Sequence, residues 1–179
     1  MKKVAIVIGH TPDSKGACSP HGIPCEFDYN STVANMLSDV ADVYIHDTYK
    51  FGYTSMVKKT ATKLNAYKYN LVLFLHYNSA TPTATGCEVL YYFKSTKGAA
   101  YATLLSKEIS EKLGVKNRGA KPLSPNDRGY GEVYYPIAPA IIVEPFFGSN
   151  PADVNKFKNP SKYVETLKSF ILAVTQNTF

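Results

Sequence analysis

Three apolar runs of this sequence end in a residue able to bind a metal or move a proton. The run at 3–8 is followed by Gly9 and His10, the run at 70–75 by His76, and the run at 140–144 closes on Glu144. A further carboxylate, Glu26, falls near the start of the helical pattern that follows the first run. If the three runs are parallel neighbouring strands, these groups meet at the carboxyl edge of one sheet, where α/β proteins form their sites. Two imidazoles and a carboxylate make a catalytic zinc set, three protein ligands with one position left for water. Zinc in such a set brings the pKa of water down from about 15.7 toward ~7 and polarises a carbonyl. A second carboxylate beside it takes the water's proton and passes it to a leaving amine. The chemistry that fits is hydrolysis of an amide.

Spacing alone leaves other ligand sets open. His46 also ends a strand-like run, and His21 lies close to Glu26. His10, Cys18, His21 and Cys25 are near enough in sequence for a closed, structural two-cysteine two-histidine zinc site, although the short ligand pairs that build such sites are missing. A Cys18–Cys25 disulfide is a further arrangement. Three cysteines with no Cys-x-x-Cys pair read first as reduced or buried thiols. Glu144 is harder to dismiss as structural, because an ionisable group ending a buried run needs a partner.

The elements that must position these groups alternate. Strand-like runs occupy 3–8, 42–46, 70–75, 87–93 and 140–144. Helical spacing covers 27–40 through Val33, Leu37 and Val40, and 97–113 through Leu105, Ile109 and Leu113, with Gly114 as its C-cap. A helix over 160–175 starts at Asn159-Pro160, and 52–69 carries a weaker pattern. Strands alternating with helices predict one α/β domain: a twisted, mostly parallel central sheet flanked by helices, with the site at the carboxyl ends of its strands. The stretch 115–139, with several prolines and glycines, reads as a surface loop rimming that site.

Composition narrows the classes. A chain of 179 residues is of one-domain length, and 45% hydrophobic with 19% charged residues is a globular mixture. No run reaches the ~18–20 apolar residues that cross a bilayer, so membrane insertion is not expected. The first apolar run is too short for a signal peptide. The expected route is synthesis in the cytoplasm without a signal peptide. The net charge of +6 favours anionic partners, including wall polymers. Nucleic acid is not among the expected partners, since arginine occurs only at 118 and 128 and no basic, aromatic-interleaved stripe is present.

Taken in order, the motifs resemble those of the zinc-dependent N-acetylmuramoyl-L-alanine amidases of phage endolysins and bacterial cell-separation enzymes. The segments are "IVIGH" with His10, Glu26 ahead of a helix, "LFLHYNSA" with His76, "TGCEVLYYF", "NRGAK", and "IIVEPFFGSNPADV" with Glu144. The resemblance implies one Zn2+ per chain held by His10, Glu26 and His76, with Glu144 as catalytic base and His21 and His46 outside the ligand set. It implies peptidoglycan as substrate, with Asn78, Asn117 and Arg118 along the substrate groove. At one-domain length, a single catalytic domain over 1–179 without a separate wall-binding domain is expected. A monomeric phage or prophage endolysin, acting on the wall after release, is the expected context. Glu88 is expected to face solvent. The loop "SPHGIPCE" before Glu26, Phe74 and Pro145 depart from the family pattern. The rival readings are another zinc amide hydrolase, a peptidase or deacetylase, and a wall-binding module whose zinc is structural.

Overall fold

The computed structural model describes residues 2–176. Along the chain come β1 (Val4–Ile8), α1 (Glu26–Met36), β2 (Asp42–Ile45), a short 3-10 turn (Tyr49–Phe51), α2 (Tyr53–Asn65), β3 (Leu71–Leu75) and β4 (Cys87–Tyr92). Then follow α3 (Thr96–Leu113), β5 (Asn117–Leu123), α4 (Tyr130–Tyr134), β6 (Ala140–Glu144), α5 (Pro151–Phe157) and α6 (Ser161–Gln176). The six strands form one sheet in the order β2-β1-β3-β6-β4-β5. β1, β3 and β6, whose sequences are unbroken apolar runs, are adjacent, parallel and central. They are apolar up to the terminal Glu144 of β6 because helices cover both faces.

Alternate residues of these strands feed two cores. Ile6, Ile8, Leu73, Leu75 and Val143 pack with Val33 of α1, Ile109 of α3 and Phe170 of α6. Val7, Phe74 and Ile142 pack on the other face with Leu64 of α2 and Val133 of α4. No helix among the described residues is long and apolar enough to cross a membrane.

The α/β architecture and the mostly parallel sheet are those expected from the sequence, with three differences. Residues 115–139 are not a loop throughout, because they contain β5 and α4. β5 carries Arg118, Gly119, Lys121 and Pro122 in seven residues, a composition suited to a sheet edge rather than to an apolar run. α4 is one short turn of helix with too few residues to show a period. β4 pairs antiparallel to β6, a direction that no periodicity in a single strand reveals. α5 is a third unexpected element; the Asn150 side chain caps it, accepting from the Ala152 and Asp153 amides at 2.9 and 3.0 Å.

Candidate metal centre and cleft

The chain turns sharply as it leaves β1, and His10 takes a left-handed backbone with φ of 65°. For a non-glycine residue that conformation is costly and is held by its surroundings. It aims the imidazole along the sheet edge, where Nε2 lies 3.0 Å from Glu26 Oε2. His76 follows β3, and its Nδ1 lies 2.8 Å from Glu26 Oε1. Glu26 opens α1. Its two oxygens also accept from backbone amides, Oε1 from Tyr77 and Oε2 from Ala17, each at 3.2 Å. Burial pushes this carboxyl up, but hydrogen bonds and charge from His10 and His76 outweigh it and hold the group at about 2. Glu26 is therefore an anion clamped between two imidazoles.

The crowding is built into the glycines. A Cβ at Gly16, whose φ is +75°, would lie 2.6 Å from His10 Nε2 and 2.7 Å from Glu26 Oε2. A Cβ at Gly9 would lie 2.4 Å from His76 Cε1. Only a residue without a side chain lets the backbone pass so close.

His10, Glu26 and His76 each present one ligand atom, and these atoms lie within 4.8 Å of one another. Nitrogen and carboxylate oxygen donors in a two-to-one ratio suit zinc with a position left open. Glu144 closes β6 beside them. Its Oε2 atom is buried with no hydrogen-bond partner, and burial, reinforced by the neighbouring glutamates against the pull of His76, pushes its carboxyl up to about 8. A buried carboxylate oxygen with nothing to bond is costly, and it becomes reasonable where a cation or a reacting proton is its partner. All four groups line one cleft of about 890 Å³.

The model of the N-acetylmuramoyl-L-alanine amidase family matches residues 4–176. The chain belongs to this family. Among solved structures, this amidase-family chain is similar to the catalytic domain of the CD27L endolysin targeting Clostridia difficile, at 30% identity and a TM-score of 0.73 over 99% of this chain and 98% of that one. It is also similar to an N-acetylmuramoyl-L-alanine amidase from Clostridium difficile 630, at 26% identity and a TM-score of 0.74 over 98% and 95%. An uncharacterised 38.4 kDa protein of Clostridium perfringens is 28% identical over 163 residues, which is 87% of this chain and 46% of that protein. The amidase-family chain thus spans under half the length of that curated relative.

The other residues singled out from the sequence fall in different places. Asn78 lines the cleft and donates through Nδ2 to Glu88 Oε1 at 2.8 Å. Arg118 donates through Nε to Glu88 Oε2 at 2.8 Å and stacks over the Phe147 ring at 5.0 Å. Asn117 is exposed, and its Oδ1 accepts from the Gly119 amide at 2.7 Å, a local turn contact. Glu88, expected to face solvent, lines the cleft instead and pairs in register with Glu144 across β4 and β6.

His21 Nε2 contacts the Ser149 carbonyl at 3.2 Å. Cys18 and Cys25 form a disulfide, which corrects the expectation of reduced thiols and removes both sulfurs from any closed zinc site. Cys87 is the free cysteine, buried in the core. One cleft residue has no counterpart in the sequence reading. Glu132 of α4 is buried, with Oε2 3.1 Å from His76 Nε2 and Oε1 3.7 Å from His46 Nε2. A lone acid among Tyr130, Val133 and Tyr134 was the available signal, since such a group stays buried only if paired.

Proposed function

We propose that this chain is a zinc-dependent amidase that hydrolyses the bond between the lactyl group of N-acetylmuramic acid and the L-alanine of the peptidoglycan stem peptide. The observation that carries the reading is the Glu144 carboxyl, its Oε2 buried without a hydrogen-bond partner, standing in one cleft with the His10, Glu26 and His76 cluster. His10, Glu26 and His76 would hold the zinc, which supplies Lewis acidity toward the amide carbonyl and a more acidic water. Glu144 accepts the proton of the attacking water and returns it to the departing L-alanine nitrogen. One water is consumed, the C–N bond breaks, and a carboxylate and a free amine result.

Asn78, held by Glu88, and Arg118, held by the same carboxylate, are proposed to line the groove that takes the glycan and peptide. Asn117 is turned to its own backbone, with Oδ1 taken by the Gly119 amide. The likeness to the CD27L endolysin supports an endolysin-type role, with action on the wall after release.

Clearing of purified peptidoglycan tests the reading, with chelator and zinc add-back, for wild type and Glu144→Gln. Zinc-restorable clearing is expected in the wild type, with free L-alanine amines and no new reducing sugars. Glu144→Gln should lose turnover by ~10²-fold or more, on the scale of a lost general base, while retaining zinc. A variant that still clears the wall as fast as wild type would remove Glu144 from the chemistry and favour a structural zinc. Release of acetate with free sugar amines in place of L-alanine amines would point to a deacetylase, and cleavage within the stem peptide to a peptidase.

A further inference from the structure

We propose that Glu132 is the positioning residue of the metal centre, holding His76 in the tautomer that carries its proton on Nε2 and offers Nδ1 to the metal. This rests on the zinc reading above and extends it by one residue that the ligand set does not contain. The two nitrogens of His76 face different carboxylates. Nδ1 lies 2.8 Å from Glu26 Oε1, on the side where His10 Nε2 also meets Glu26. Nε2 lies 3.1 Å from Glu132 Oε2. A metal shared by His10, Glu26 and His76 must use the nitrogen on the Glu26 side, so Nε2 must bear the hydrogen, and Glu132 is the acceptor for it. A ligating imidazole is commonly fixed this way, by a carboxylate on its far nitrogen that raises its basicity and locks its ring.

Glu132 is itself well fixed. It is 4% exposed, on α4 packed against β6 and β4. Its second oxygen faces His46, a fully buried ring whose Nδ1 meets Thr60 Oγ1 at 2.9 Å, and that hydroxyl donates to the Met56 carbonyl at 3.2 Å. His46, anchored to α2 through Thr60, thus packs behind Glu132, although its Nε2 makes no hydrogen bond, and the hydrogen bond that fixes His76 is the one it donates to Glu132. This gives His46 a place in the site without making it a ligand.

Zinc affinity by chelator competition, together with long-range 1H–15N correlation of the histidine rings in the zinc-loaded protein, tests the assignment. In the wild type, His76 should show a protonated Nε2 with a slowly exchanging hydrogen and a metal-bound Nδ1. Glu132→Ala should weaken zinc by ~10–100-fold, the usual effect of losing such a partner, and the Nε2 hydrogen should exchange rapidly. Glu132→Gln keeps an acceptor oxygen and should restore the slow exchange with affinity within a few-fold of wild type. It also serves as the reporter if the alanine variant does not fold.

Wild-type affinity in Glu132→Ala would overturn the proposal, as would a zinc-loaded His76 bearing its proton on Nδ1. Failure of the wild type to bind zinc would sink the metal centre itself, an outcome distinguishable from either of these.

Discussion

Burial decides what Glu144 does as the pH changes. Its carboxyl titrates at about 8 in the folded chain against an ordinary value of 4.5. Between those values the metal-free folded state keeps a proton that the unfolded state has released, so folding stability falls as pH rises from about 5 to 8 and levels off above. The slope from one such group is at most about 1.4 kcal/mol per pH unit. Replacing Glu144 by glutamine removes it. The metal-free Glu144→Gln chain should therefore gain melting temperature relative to metal-free wild type as pH is raised across that window. A difference that stays constant from pH 5 to 8 would refute the burial account. His10, His76 and Glu144 were legible in the sequence because each terminates an uninterrupted apolar run, and the buried end of a strand is a place that polar groups occupy for a reason. Glu88 and Glu132 were not. A strand's alternation tells which face Glu88 takes but not that β4 runs against β6 and sets it beside Glu144. Glu132 sits in a segment too short to show a period.

Elements explain how the cluster is held, and here the loop before Glu26 matters most. The Cys18–Cys25 bond ends at the residue preceding the first position of α1, so it fixes the point from which Glu26 reaches the two histidines. Closing a loop this short removes about 2 kcal/mol of chain entropy from the unfolded state. Cys18→Ser, or reduction of the wild type, should lower the melting temperature correspondingly. Reductant should leave the variant's melting unchanged. If the reduced wild type melts with the oxidised form, the bond contributes nothing to folding. The sequence shows the spacing of the cysteines but not the approach of their backbones, which is why thiols were the simpler expectation. The helices over 97–113 and 160–175 were legible for the opposite reason: long amphipathic stretches with a cap at one end declare themselves locally. β5 has seven residues, three of them charged or proline among 118–122, and owes its strand conformation to β4 rather than to its own composition.

At the scale of the whole molecule, the excess of 20 lysines and arginines over 14 acids leaves +6, while the cleft itself gathers Glu26, Glu88, Glu132 and Glu144. Lys15 and Arg128 also line that cleft, but most of the positive charge lies elsewhere and acts from the outer surface, at long range. Attraction of this kind is screened as the Debye length shrinks from about 10 Å at 0.1 M salt to about 3 Å at 1 M. Cosedimentation with walls rich in anionic polymers should weaken several-fold over that range, and walls stripped of those polymers should show no such dependence. Equal salt sensitivity of both preparations would assign the attraction to charges other than those polymers, and salt-independent binding would remove charge as its cause. The two borders of the sheet have their own consequence. β2 is only four residues long, and β5 carries Gly119, Lys121 and Pro122 among its seven residues. Neither border offers a long, regular ladder of free amides and carbonyls for a strand of another molecule to join. Copies of this chain gathered densely on a surface would find, in these two borders, no seam along which to zip into fibres.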